Sequence, residues 1–203
     1  MPLATTCSAR LRRVARRSIV ASLVVTAVAT LNACSSATST DATEGGYVSG
    51  DGSITVVAPS EREEAPVLEG TDLDGAPLST AQFEGDVLVV NIWGSWCPPC
   101  RKETPDLIAM ADEFSGQGVQ FVGIAIREGR TASKAFATNF GMNYPSFSDS
   151  GGEMLIGFSS SLPAVAVPTT YVIDAQGRVA VRYMDQVDAG MLRELILDVQ
   201  EGR

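Results

Sequence analysis

Apolar residues gather along this chain in three rhythms. The first is the short unbroken run. "VLVVNIW" (residues 87–93, interrupted only by Asn91) and "VQFVGIAI" (119–126) are rich in β-branched side chains and too short for helices, so each predicts a strand buried on both faces. The second rhythm is helical. "PPCRKETPDLIAMADEF" (98–114) opens with prolines, which a first helical turn accepts, and then spaces Leu107, Met110, Ala111 and Phe114 along one face. "DAGMLRELILDVQ" (188–200) does the same with Met191, Leu192, Leu195, Ile196 and Val199, a face read as core packing. The third is a pair of short runs around a turn. "TYVID" and "VAVRY" flank "AQGR", and "PVLEGTDLDGAPLSTAQFEG" (66–85) is split by Asp74-Gly75, so both predict hairpins. Between residues 126 and 168 lie a helical stretch "TASKAFATNFGM", a short strand "YPSFSD" and a second helical piece around "GEMLIGFS". Strands alternating with helices predict an α/β domain, with helices flanking a central sheet.

One more apolar run, "IVASLVVTAVATL" (19–31), follows an arginine-rich head and precedes "LNAC". Its 13 residues fall short of the about 20 that a membrane-spanning helix needs. The order of charge, apolar run and cleavage site is that of a secretory signal over residues 1–33. "LNAC" resembles a bacterial lipobox, which implies cleavage before Cys34 and lipidation of that residue. Ordinary cleavage after "AVA" (27–29) is the alternative, and Arg16-Arg17 faintly resembles a twin-arginine export signal. The next stretch, "SSATSTDATEGGYVSGDGS" (35–53), has almost no large apolar residue, so residues 34–53 read as a flexible tether. The folded domain is expected over 54–203, long enough for one core.

Charge removes several function classes. Five arginines and no acid lie in residues 1–33, leaving 10 basic against 24 acidic residues from Cys34 onward, a net of −14. Such a body repels phosphate backbones, which argues against nucleic-acid binding. The chain has no histidine, which excludes histidine triads, histidine zinc ligands and histidine-bound haem.

Four cysteines are present: Cys7 lies in the signal, Cys34 at the lipobox, and Cys97 and Cys100 in "NIWGSWCPPCRKE". Two thiols without histidine fall short of a structural zinc site, although acidic residues could complete one. A purely structural bridge three residues long closes a tiny loop and constrains the unfolded chain little. A redox-active pair fits the context best. Cys97 sits where a buried strand turns into a helix, and unpaired N–H groups there stabilise a thiolate. That makes Cys97 the expected exposed nucleophile, with Cys100, one turn inside, placed to resolve the mixed disulfide. Pro98 and Pro99 carry no N–H, so fewer donors reach the Cys97 sulfur, which favours a reducing pair.

"WCPPC" at such a corner resembles the active site of the thioredoxin superfamily. "NIWGSWCPPCRKETPDL" and, about seventy residues on, "AVPTTYVID" are similar to the membrane-tethered thiol-disulfide oxidoreductases of the TlpA/ResA type. The resemblance covers about residues 64–200. It implies a thioredoxin-like fold: a central mixed β-sheet flanked by helices, an N-terminal hairpin and a central αβ insertion, here the segment before Pro168. It also implies that Pro168 is a cis-proline packed against the cysteines. Trp96, Val167, Pro98 and Pro99 would line the substrate surface, with "SSSLPAVA" (159–166) as a rim of the groove. Asn91 stands where cytoplasmic thioredoxins place a proton-accepting aspartate. Glu103, one helical turn after Cys100, is a glutamate that tunes the cysteines in ResA-like members. A solvated first-turn glutamate is its plainer reading.

The resulting expectation is an extracytoplasmic thiol-disulfide oxidoreductase, anchored to the cell membrane as a lipoprotein. It would need no bound metal or cofactor beyond its Cys97–Cys100 disulfide. The resemblance implies protein thiol or disulfide substrates such as apocytochrome c, and electrons from a transmembrane thiol reductase. A thiol peroxidase of the peroxiredoxin type is one alternative. It would want Thr or Ser three residues before its reactive cysteine, where this chain has Gly94. A non-catalytic binding lipoprotein with the same fold is the other.

Overall fold

The computed structural model describes residues 46–203. The expected signal sequence and Cys34, the expected lipidation site, fall outside them. Among the described residues, nine strands occur in the order β1 (Tyr47–Val48), β2 (Ile54–Val56), β3 (Glu69–Thr71), β4 (Pro77–Ser79), β5 (Val87–Trp93), β6 (Val119–Ile126), β7 (Ser146–Asp149), β8 (Thr169–Ile173) and β9 (Val179–Met184). The same residues include three helices, α1 (Pro98–Glu113), α2 (Arg130–Phe140) and α3 (Ala189–Gln200), and two 3-10 turns, Thr80–Phe83 before β5 and Glu153–Phe158 between β7 and β8.

Seven strands form one mixed sheet in the order β1-β2-β9-β8-β5-β6-β7. β5, β6 and β7 run parallel, and the remaining neighbours are antiparallel. β3 and β4 make the separate hairpin that the Asp74-Gly75 signal predicts, with Gly75 at a φ of 89°. β7 and α2 constitute the insertion, and β7 extends the sheet beyond β6.

β5 is buried along its whole length because both faces are covered. Val87 and Val89 face a core built with Leu107 and Met110 of α1 and Leu192 and Ile196 of α3. Leu88, Val90 and Ile92 face the opposite core, with Phe147, Phe158, Tyr171 and the hairpin residues Leu68 and Leu78. Each such aliphatic side chain contributes about 1.5–3 kcal/mol on burial. This is why the 87–93 run lacks the alternation of a one-faced strand.

Two features depart from the sequence reading. Tyr47 and Val48, assigned there to the tether, pair with β2, which itself pairs with β9, so ordered structure begins before Ile54. The turn between β1 and β2 is closed by Asp51, whose Oδ1 accepts from Ser49 Oγ at 2.6 Å and Ser53 N at 3.0 Å. The piece around "GEMLIGFS" is a 3-10 turn rather than an α-helix, and it follows Gly152 at a φ of 74°. Among the described residues, no helix is long and apolar enough to cross a membrane.

Candidate active site

Cys97 and Cys100 are joined in a disulfide with their Cα atoms 5.3 Å apart. Cys97 is the N-cap of α1, with Pro98 and Pro99 in the first turn, and its sulfur accepts from the Cys100 amide at 3.3 Å. That amide is the first N–H after the two prolines, so it is the donor the sequence leaves available. The sulfur lies 3.8 Å from the Val167 carbonyl oxygen. The Val167–Pro168 bond is cis, and Pro168 is buried beside it. The sequence expectation of an exposed Cys97 does not hold for this disulfide form, in which the residue is 2% exposed and Cys100 is fully buried. The cause is local: the side chain turns back onto its own helix end and packs with Val167, Trp93 and Phe136.

Glu103 is also not the solvated residue of the plainer reading. It is fully buried, and its carboxylate is held from two sides. Oε1 accepts from Asn91 Nδ2 at 2.9 Å and Oε2 from the Val187 amide at 3.0 Å. Asn91 Nδ2 also donates to Thr170 Oγ1 at 3.0 Å. Burial pushes the Glu103 carboxyl up to about 7, because the donated hydrogen bonds only partly offset lost hydration, and Asp185 and Asp106 add repulsion. Neither carboxylate oxygen bonds a sulfur among the described residues, so Glu103 lies under the dithiol helix with its polar contacts to the sheet and to the turn before α3.

Asn91, Thr170 and Gly123 occupy adjacent positions on neighbouring strands, followed by Ser146 on β7. This row faces α1. Gly123 leaves the space into which Trp93 Nε1 and Ser146 Oγ reach, and a Cβ there would stand 2.6 and 2.2 Å from them.

A second support was not legible in the sequence. Glu128, just after β6, receives the Ser95 amide on Oε1 at 2.9 Å and the Ser95 hydroxyl on Oε2. Trp96 Nε1 donates to the Ile126 carbonyl at 3.2 Å. The end of β6 therefore grips the loop that delivers Cys97. The only signal available was an acidic residue after a predicted strand, one of 24 acids. Trp96 remains 48% exposed, and its indole folds back over Gly94, where a Cβ would lie 2.5 Å from Nε1.

The predicted residues thus assemble. Cys97, Cys100, Trp96, Pro98, Pro99, Val167 and Pro168 meet at one end of the sheet. The 159–166 segment leads directly into Val167, is tied down through Leu162 O to the Tyr171 hydroxyl and through Pro163 O to Arg182, and leaves Val165 exposed beside the site. Among the described residues no group of histidine, cysteine or acidic side chains is arranged to hold a metal ion.

Residues 62–182 match the model of the AhpC/TSA family. The chain belongs to that family. It is 31% identical over 117 residues to the thiol-disulfide oxidoreductase ResA of Bacillus thuringiensis subsp. konkukian, covering 58% of this chain and 65% of the relative. Against ResA of Bacillus subtilis the identity is 31% over 120 residues, covering 59% and 65%. The match thus spans just under two thirds of the length of these curated relatives. Among solved structures, a DsbF homologue from Corynebacterium diphtheriae superposes with a TM-score of 0.69 at 29% identity, covering 75% of this chain and 96% of the other. A secreted thiol-disulfide isomerase from Corynebacterium glutamicum gives 0.69 at 30% identity, covering 76% and 98%. These likenesses establish the thioredoxin-like fold of this AhpC/TSA-family chain and bear out its resemblance to the TlpA/ResA type.

Proposed function

We propose that the protein is an extracytoplasmic thiol-disulfide oxidoreductase that reduces disulfides in other proteins. The observation that carries this reading is the Cys97–Cys100 disulfide capping α1, with the Val167 carbonyl 3.8 Å from the Cys97 sulfur. In the reduced enzyme the Cys97 thiolate attacks one sulfur of a substrate disulfide. The substrate S–S bond breaks, its second sulfur leaves as a thiolate and takes a proton, and a mixed disulfide forms. The Cys100 thiolate then attacks the Cys97 sulfur, the bond from Cys97 to the first substrate sulfur breaks, and that sulfur leaves as a thiolate and takes a proton. Two electrons pass to the substrate and the Cys97–Cys100 disulfide is left. Glu103, one turn from Cys100, has a carboxyl near 7, but its oxygens bond Asn91 and the Val187 amide, so a proton from Cys100 would reach it only through a bridging water. The Val167 backbone, flanked by Trp96 and Pro98–Pro99, suits an extended substrate segment lying beside Cys97.

The Bacillus relatives bear the name ResA. The TlpA/ResA resemblance of the sequence and the lipobox-like "LNAC" extend the proposal to a lipid anchor at Cys34, a substrate such as apocytochrome c with its own cysteine pair, and a transmembrane thiol reductase as electron source. Peroxide reduction is the second reading, raised by the AhpC/TSA match. Gly94 opposes it, since a hydroxyl-bearing side chain three residues before Cys97 would collide with the Trp96 indole. A non-catalytic binding role leaves the paired Cys97–Cys100 and Val167–Pro168 motif without a purpose.

The test is insulin reduction by dithiothreitol with the parent and Cys97→Ser, run beside a peroxide-consumption assay. Acceleration by the parent alone, without peroxide consumption, is expected. Peroxide consumption without insulin reduction would replace this reading with the second. For location, Cys34→Ala should release the protein from the membrane fraction.

A further inference from the structure

The ten basic residues outside 1–33 are not used evenly. Arg62, Lys134, Arg178, Arg193 and Arg203 are each in an ion pair, and Arg182 donates to Pro163 O and Thr55 Oγ1. The remaining four, Arg101, Lys102, Arg127 and Arg130, are exposed and have no carboxylate within ion-pair distance among the described residues. All four lie at the end of the sheet that carries the disulfide. Arg101 and Lys102 directly follow Cys100 on α1. Arg127 and Arg130 follow β6, which is parallel to β5 and pairs Ala125 with Trp93.

Lys102 lies on the exposed face of α1, and the other three are fixed by contacts near the redox loop. The Arg101 guanidinium stacks 5.5 Å over Phe136 and 5.6 Å over Phe140, and its Nη1 donates to Ser95 O at 3.2 Å. Arg127, with a φ of 56°, directly follows the Ile126 carbonyl that receives Trp96 Nε1. Arg130 leans toward the hairpin and donates to Thr71 Oγ1 at 3.0 Å. The acid among them, Glu128, has both oxygens engaged by Ser95. Asp106, one turn past Lys102, stays outside ion-pair distance. Asp185 is exposed beside the Val167–Pro168 turn, and its amide donates to Pro168 O at 3.1 Å.

We infer that the exposed surface around Trp96 is a cationic docking surface for an acidic polypeptide segment flanking the substrate's cysteines. The inference rests on the oxidoreductase reading and names the substrate class for it. A body of net charge −14 repels acidic partners everywhere else, so the unpaired cations make this end the one approach such a partner finds favourable. Field effects of this kind act mainly on encounter and orientation. An anionic lipid surface has the same chemistry, but docking there would cover Trp96 and shield Cys97 from a protein disulfide.

Three peptides with one common disulfide loop, flanked by Asp, Ser or Lys, are offered to the reduced full chain. At low salt the Asp peptide should be reduced fastest and the Lys peptide slowest, with a spread of about tenfold. High salt should collapse the spread to within about twofold, because exposed charges are screened. Lys102→Gln with Arg127→Asn, Asn being tolerated at a positive φ, should collapse it at low salt while leaving the Ser-peptide rate within about twofold of the parent. Equal rates for the Asp and Lys peptides, with normal reduction of the Ser peptide, would overturn the docking inference alone. Equal rates joined to binding of phosphatidylglycerol vesicles that the double substitution weakens would overturn it in favour of a lipid surface. Failure to reduce the Ser peptide at all would remove the oxidoreductase reading and this inference with it.

Discussion

Glu103 Oε1 and Asn91 Nδ2 stand 2.9 Å apart in the buried layer between α1, the helix that carries the disulfide, and β5. A carboxylate without a cationic partner is thereby held one turn from Cys100 by a neutral amide and a backbone N–H. Hydrogen bonds alone do not restore the hydration that burial removes, so the proton is retained to an unusually high pH.

This predicts how stability depends on pH. The Glu103 carboxyl stands near 7 in the folded protein against 4.5 for the free group, so between these values the folded state binds more protons than the unfolded one. Its contribution is fully present below about pH 4.5 and is lost as pH rises through about 7, a change of about 3 kcal/mol. The chain has no histidine, which keeps the window clear of the usual interfering group. The thermal midpoint of the oxidised protein should fall from pH 5 to pH 8, and Glu103→Gln should flatten that decline. A parent midpoint flat across this range would contradict the assignment.

Glu128 should act as a positioning residue for Trp96. Glu128→Ala leaves the Ser95 amide and hydroxyl without their acceptor, which costs about 1–3 kcal/mol. Because the grip acts on the loop before Cys97, Trp96 fluorescence should shift in the variant, read in a Trp93→Phe background to isolate it. Reduction of protein disulfides should suffer more through KM than kcat. Unchanged Trp96 emission and KM would show that the contact is incidental.

Gly94 has a steric role. Gly94→Ser places a Cβ where Trp96 Nε1 now lies 2.5 Å away, so the indole must leave its Ile126 hydrogen bond. Loss of insulin-reducing activity without gain of peroxide consumption is expected. Full retention of activity together with Trp96 protection from solvent quenching would refute the packing argument.

Gly123→Ala tests the polar row beneath α1. Its Cβ would meet Ser146 Oγ at 2.2 Å and Trp93 Nε1 at 2.6 Å, and such overpacking costs about 1–3 kcal/mol. Denaturant unfolding should show a lower midpoint with little change in slope. A midpoint equal to the parent's would mean the row yields freely.

Brief alkylation of the reduced protein should label Cys97 before Cys100. Cys97 is at the helix cap, where the Cys100 amide supports a thiolate, while Cys100 lies fully inside. Equal labelling, or labelling of Cys100 first, would reverse the assigned roles.

The sequence by itself determined the features that depend on neighbours along the chain. Buried strands at 87–93 and 119–126 follow from their apolar runs, and the Asp74-Gly75 hairpin from its turn residues. The cysteines fall at a strand–helix corner because prolines can open a helix and cannot continue a strand. The resemblance of "WCPPC" and "AVPTTYVID" to the TlpA/ResA type implied Pro168 beside the cysteines before any contact was known. Tertiary structure alone decided what depends on elements distant in sequence. Glu103 is buried because α1 packs it against Asn91 and the turn at Val187, and a helix start carries no mark of which face will be covered. Glu128 reaches Ser95 across 33 residues, since the parallel pairing of β5 and β6 brings their ends together. Tyr47 and Val48 form a strand because β2 offers them a free edge, although their Ser- and Gly-rich surroundings lack the apolar content of a core strand. Hydrogen-bond partners of this kind are chosen by sheet order and helix docking, which local composition does not encode.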